Sequence, residues 1–375
     1  MTTAKPRRYP SGLVIWRVNF RIGSLQAQES FDTQAAGESF AALVDRVGGA
    51  AARAVRDARS DGDANTAPTL IEFTNTYLSE ESGMLTGITA GTRNGYRGIA
   101  ARSFNLTLGE IPIDQIEKTD VGQWVAWQEA QTSKRRGATT LVAPKTVSNY
   151  HALLSAIMQA AVDAKLRTDN PAFKMKLTKG IEREGIALSR LEFALLHAAA
   201  PERYKSLLLF LVVTGCRWGE ATAMTWGDLT TGDTPTVRVN KAWKKGETGR
   251  TVLGPPKSQM AKRTIAISSE LVTALGERQG AGQLLFPGDG GGHLWYGGFN
   301  TRNWGPTVER SGIGRDLQLH DLRHTCCTWL ILAGRPLPDV QKRMGHENIQ
   351  TTIKVYNHVM PSGHAAMAGV MEGLL

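Results

Sequence analysis

Six side chains stand out because their types and spacing suit work on a phosphate. In Thr214-Gly215-Cys216-Arg217-Trp218-Gly219-Glu220 an arginine follows a glycine turn that closes an apolar run, and a carboxylate three residues on can orient its guanidinium. In His320-Asp321-Leu322-Arg323-His324 the i, i+3 spacing sets His320 and Arg323 on one helical face, with room for a phosphate between them. His346 follows Met344-Gly345 at a turn, and Tyr356 lies ten positions further on. Lys257 comes after Pro255-Pro256 and before the strand-like stretch Arg263 to Ile267, as expected for a lysine on a hairpin. Taken singly, each reads as well as a structural ion pair or a satisfied core histidine.

His320 and His324 are also spaced i, i+4 with Asp321 beside them, as in metal-binding helices. No glutamate occupies the place a zinc hydrolase needs, and no acidic cluster is available for paired Mg²⁺ ions, so neither a metal nor another cofactor is expected. Cys216, Cys326 and Cys327 have no ligand spacing, and the adjacent pair is poorly placed to form a bridge. They read as small core fillers in a reduced, cytoplasmic protein.

The elements that must position these groups follow from pattern. Met1 to Gln28 holds Lys5, Arg7, Arg8, Arg17 and Arg21 with no acidic residue, and Leu13 to Phe20 is strand-like, which predicts a small basic β-sheet. A helical stretch from Gln34 to Arg59 ends at a polar break, Asp61 to Pro68. From Thr69 to about Lys176 the reading is mostly helical, with stripes at Leu70, Phe73, Tyr77 and Leu78 and at Val147, Tyr150, Leu153, Leu154, Ile157 and Ala161. Lys134, Arg135, Arg136 and Lys145 flank a loop that can equally reach a phosphate backbone or stay solvated. Lys174, Lys176 and Lys179 lie on an exposed connector, and the remainder is mixed α plus β. Trp124, Trp127, Trp295, Tyr296 and Trp304 are expected in the core.

The chain has 375 residues, 41% of them hydrophobic, enough for two or three domains. Its formal net charge of +10 makes nucleic acid the first partner to consider. No apolar run is long enough for a bilayer span and the N-terminus carries no signal-peptide pattern, so a soluble protein with no membrane partner is expected.

The ordered set Arg217 with Glu220, Lys257, His320 with Arg323, His346 and Tyr356 resembles the motifs of the tyrosine recombinases, temperate-phage integrase type. Ile349, Thr351, Thr352 and His358 also sit as in that family's tyrosine motif, while Trp218-Gly219 is a modest departure in its first box. The resemblance implies a multidomain α+β fold: a β-rich arm-site-binding domain at 1–66, an all-α SAM-like core-binding domain at 67–176, and a mixed α+β DNA breaking-rejoining domain at 177–375. The last two would clamp the core site as a C-shaped pair.

It implies a site-specific recombinase that integrates and excises a phage or mobile-element genome through a 3′-phosphotyrosine at Tyr356, without metal or ATP. Arg217 and Arg323 would hold the phosphate, His320 would take the tyrosine proton, Lys257 would protonate the leaving oxygen, and His346 would add a hydrogen bond. Double-stranded DNA carrying core and arm attachment sites, a homotetramer on that DNA, a host DNA-bending protein and an excision factor are the partners implied. The apolar residues after Tyr356, among them Val359, Met360, Met367 and Leu374, are expected to pack on a neighbouring protomer. A catalytically silent DNA-binding regulator on the same scaffold is the alternative from another class, and a type IB topoisomerase or a hairpin-forming resolvase the alternatives among enzymes.

Overall fold

The computed structural model describes residues 2–8, 14–31, 33–60, 67–135, 138–180, 183–246 and 248–359. The chain divides into two compact units, Met1–Glu182 and Arg183–Leu375.

The first unit opens with an antiparallel sheet of β1 (Ala4–Arg8), β2 (Val14–Ile22) and β3 (Leu25–Phe31) in the order β1-β2-β3. Alternation along β2 sends Val18 and Phe20 inward against Phe40, Leu43 and Val44 of α1 (Gln34–Val47) and Ala52 of α2 (Gly49–Ser60). The single helix expected over 34–59 is in fact these two. Gly48, at φ +83°, breaks it, and a Cβ on Gly49 would stand 2.2 Å from the Arg21 carbonyl. The backbone there passes closer to β2 than any side chain allows.

A separate core follows in α3 (Leu70–Tyr77), α4 (Ala90–Arg102), α5 (Asn105–Leu108), α6 (Lys118–Ala130) and α7 (Pro144–Asp163). The stripes bury Leu70, Phe73, Tyr77 and Leu78 against Leu153, Leu154, Ile157 and Ala161, with Trp124 between. Thr69 and Glu72 form a capping box that starts α3, an interaction worth about 1 kcal/mol. Between α6 and α7 the chain forms a two-stranded hairpin, β4 (Thr132–Arg135) with β5 (Ala138–Leu141), where a plain loop was expected. Ala-Thr-Thr-Leu carries enough β-branched character to pair with Thr132–Arg135.

The second unit holds α8 (Arg190–Ala198), α9 (Glu202–Thr214), α10 (Trp218–Ala221), α11 (Ser269–Leu275), α12 (Tyr296–Phe299), α13 (Gly305–Arg310), α14 (Leu319–Leu332), α15 (Leu337–Met344) and α16 (Gln350–Val359). Its strands are β6 (Leu229–Thr230), β7 (Thr236–Val239), β8 (Ala242–Lys245), β9 (Thr251–Gly254) and β10 (Arg263–Ala266). They form an antiparallel β10-β7-β6 sheet and a separate β8-β9 hairpin inserted between β7 and β10. The apolar run of α9 is the spine of the core: Leu207, Leu208, Phe210, Leu211 and Val212 are buried against Leu319 and Leu322 of α14 and Val237 and Ile265 of the sheet. A smaller cluster, Cys326, Cys327, Ile331, Val340, Met344 and Val355, joins α14 to α15 and α16. Among the described residues no helix is long and apolar enough to cross a membrane.

Candidate active site

The site is assembled where two helices end. Gly215 closes α9 in the left-handed conformation, φ +65°, and Gly345 closes α15 in the same way, φ +65°. Each turn aims a backbone carbonyl at a catalytic candidate. Arg323, on α14 and only 4% exposed, donates Nη1 to the Gly215 oxygen at 2.5 Å and Nη2 to the Met344 oxygen at 2.6 Å. Arg217 donates Nη2 to the Gly345 oxygen at 3.4 Å and Nη1 to Glu220 Oε1 at 2.8 Å. Glu220 also accepts the Arg217 backbone N–H at 3.0 Å, so the first box is a capping box on α10 as well as an ion pair.

Burial first, and then the neighbouring Arg217 charge, bring the Arg323 guanidinium down to about 10, which leaves it charged at neutral pH. Burial works the other way on Glu220, yet Arg263 and Arg217 outweigh it and hold the carboxyl below its usual range.

His320 lies on the first turn of α14 at the mouth of the site, and with Arg323, Trp218, Tyr296, Leu211, Leu319 and Cys216 it lines a cavity of about 140 Å³. The residue is exposed to solvent there. Partial desolvation in the pocket, followed by the positive charges of Arg323 and Arg217, lowers its pKa. A neutral imidazole able to accept a proton is the result. His346, 8% exposed, sits just past Gly345 with Nδ1 2.9 Å from Thr352 Oγ1, and burial followed by the surrounding guanidinium charges pushes its pKa down to about 3.

Tyr356 is on α16, one helical turn beyond the fully buried Thr352, and is 37% exposed. The helix packs against α14 and α15, so the His346–Thr352 bond ties the tyrosine helix to the arginine pocket. Lys257 is exposed on the segment that joins β9 to the short 3₁₀ turn Gln259–Ala261 before β10. It therefore follows the β8–β9 hairpin and does not sit at its tip. Asp321 is engaged: it accepts from Arg183 at 3.0 and 2.7 Å and from the Gln318 backbone at 2.7 Å, capping α14. His324 packs against Gly185, where a Cβ would stand 2.6 Å from its Nδ1.

The structure thus gathers Arg217, Glu220, His320, Arg323 and His346, and it adds two residues that the sequence reading did not assign a role. Thr352 was noted only for its place in the motif. Arg263, 6% exposed, donates to Glu220 Oε2 at 3.1 Å, and its only sequence signal was a basic residue opening a strand. Trp304 is buried as expected, whereas Trp295 and Tyr296 are 62% and 45% exposed beside the pocket and not in the core. Both stand at the start of a helical run that continues to Arg310, and it is Phe299 and Trp304 further along that run that turn into the core.

Of the cations read as DNA contacts, Arg7, Arg17 and Arg21 share with Lys5 the sheet face opposite α1 and α2. Lys5 pairs with Arg17 and Arg7 with Ile15, while Ile15, Arg17 and Arg21 alternate with the buried Val18 and Phe20. The side chains of Arg8, Lys134 and Arg135, and the whole of Arg136, lie outside the described residues. Lys145 is exposed in the first turn of α7, and Lys174, Lys176 and Lys179 are exposed on the connector, with Lys174 Nζ 5.1 Å above the Phe173 ring. The segment after Val359 is also outside the described residues.

A buried Arg323 and a half-buried Arg217 stand beside His320 and His346, with the Tyr356 helix tied to them in a mixed α+β unit, as a tyrosine recombinase site requires. Residues 189–362 match the phage integrase family. It is 29% identical over 297 residues to the tyrosine recombinase XerD of Bifidobacterium longum, covering 74% of this chain and 90% of that one. It is 26% identical over 278 residues to the ICEBs1 integrase of Bacillus subtilis, covering 70% and 74%. The fold is similar to that of the Tn1549 transposon integrase solved with a circular intermediate DNA: TM-score 0.66 and 18% identity, over 82% of this chain and all of that one.

Proposed function

We infer that the protein is a site-specific DNA recombinase that cleaves and rejoins attachment sites through Tyr356. The observation that carries this reading is the paired clamp of Arg217 and Arg323, two guanidinium groups fixed by buried carbonyls and by Glu220 beside a neutral histidine. Attack on a phosphodiester builds negative charge on the non-bridging oxygens, and donors already fixed in place stabilise it without reorganising.

In the step so defined, Tyr356 Oη attacks phosphorus and its proton passes to His320. The bond to the 5′ oxygen breaks, and Lys257 supplies the proton that oxygen takes. A 3′-phosphotyrosine and a free 5′-hydroxyl result. The energy of the broken linkage is kept in the new ester, so attack by a second strand's 5′-hydroxyl reseals DNA without ATP. His346, neutral at working pH, contributes a hydrogen bond and no charge.

The relatives named as integrases support integration and excision of a mobile genome as the process served. The proposed layout keeps three parts: arm-site binding by 1–66, core-site binding by 67–176 together with catalysis by 177–375. The basic face of the first sheet supports the arm role, because the exposed Lys5, Arg7 and Arg21 beside the half-buried Arg17 suit a phosphate backbone. Assembly as a tetramer on two duplexes, action in the host cytoplasm, and help from a bending protein and an excision factor complete the proposal.

The test is incubation of wild type and Tyr356→Phe with a labelled, nicked attachment-site duplex in EDTA, followed by a denaturing gel. A protein–DNA adduct with the wild type alone, surviving the chelator, is expected. Specific binding without an adduct points to a silent regulator, and cleavage lost in EDTA points to a metal.

A further inference from the structure

Arg263 has no part in the chemistry above, yet its side chain is 6% exposed and every arm of its guanidinium is engaged. Nε donates to the Arg343 carbonyl at 2.7 Å, Nη1 to the Ala261 carbonyl at 2.9 Å, and Nη2 to Glu220 Oε2 at 3.1 Å. The carboxylate it meets is 2% exposed and already holds Arg217 through its other oxygen. The carbonyl it meets belongs to the last turn of α15. The next two carbonyls along that chain, from Met344 and Gly345, accept from Arg323 and Arg217. A Cβ on Gly345 would stand 3.1 Å from Arg263 Nη1, so the turn and the guanidinium are fitted to each other. One buried cation therefore braces both the carboxylate and the turn that hold the clamp.

We propose that Arg263 is a positioning residue for both phosphate-binding arginines, acting through Glu220 and the Arg343–Gly345 turn without touching DNA. The inference rests on the reading of Arg217 and Arg323 as the clamp. Lysine at 263 keeps the charge, but a single ammonium cannot span three acceptors set in a plane. Loosening the clamp weakens catalysis most where the phosphoryl group carries most negative charge in the transition state. The defect therefore depends on the charge of the substrate, which loss of packing alone would not produce.

The experiment compares full-length wild type, Arg263→Lys and Glu220→Asp on nicked attachment-site duplexes whose scissile group is either the phosphodiester or a methylphosphonate, which lacks the non-bridging charge. Adduct formation is followed in single turnover, with DNA affinity and thermal melting measured alongside. Loosening the preorganised donors of the clamp should slow adduct formation on the phosphodiester about 10- to 100-fold for Arg263→Lys, with affinity within about twofold. On the methylphosphonate the deficit should shrink to about threefold or less. An equal deficit on both substrates, or none on the phosphodiester, overturns the proposal. Should Arg263→Lys melt early, Glu220→Asp, whose shorter carboxylate cannot bridge both arginines, carries the same comparison. A wild type that binds the duplex but forms no adduct removes the clamp reading itself, an outcome distinct from an active wild type with a charge-indifferent variant.

Discussion

His346 keeps Nδ1 2.9 Å from Thr352 Oγ1 while burial and nearby guanidinium groups push its pKa down to about 3. In the unfolded chain the same ring titrates near the ordinary histidine value of about 6.5. Between those values the unfolded state binds the extra proton. Stability is therefore full above about pH 6.5 and falls as pH drops, by at most about 1.4 kcal/mol per unit for this group. His320, also lowered, adds a loss of the same sign. Melting curves from pH 7 to 4.5 should show this decline, and a shallower one in His346→Gln. The cysteines are shifted the other way: burial raises the Cys216 and Cys327 thiols to about 11 and raises Cys326 as well. Native protein at pH 8 should resist iodoacetamide at all three positions and react at all three in denaturant, which mass spectrometry reads directly.

Within α16, Thr352 is the link between the tyrosine helix and the pocket. Thr352→Val keeps the shape and removes the bond, so it should cost about 1 kcal/mol of stability yet slow adduct formation markedly. Rate and melting temperature measured on one preparation separate the two effects, and a rate that falls no further than stability would assign Thr352 to packing alone. The stripes of α3, α7 and α9 were legible because their apolar residues repeat at helical spacing and a single core absorbs them. The proposed catalytic boxes stood out because the chemistry read for them requires each of those residue types. Arg263 and the glycine carbonyls were not, since a main-chain acceptor leaves no letter in the sequence and a buried arginine reads like a surface one. The β4–β5 hairpin and the exposed Trp295 and Tyr296 escaped for a related reason: tertiary context, not local pattern, decides whether a short polar run pairs or an aromatic ring is covered.

For the whole molecule, the excess of +10 is partly organised on the first sheet, whose face opposite α1 and α2 carries Lys5, Arg7, Arg17 and Arg21. Lys5→Glu combined with Arg21→Glu leaves the buried Val18 and Phe20 untouched. It should weaken arm-site DNA binding and flatten its salt dependence while core-site adduct formation persists. Filter binding across a salt series checks this, and an unchanged slope would take the sheet out of DNA recognition. The two left-handed glycine turns carry a different consequence. Because backbone oxygens at the ends of α9 and α15 aim the arginine pair, its geometry is inherited from helix length and phase more than from neighbouring side chains. Adding or deleting one residue inside either helix rotates its terminal carbonyls by about 100°. In a scan of this gene, single-residue insertions and deletions within those helices should therefore be uniformly lethal to recombination, even at solvent-facing positions where nearly every substitution is borne.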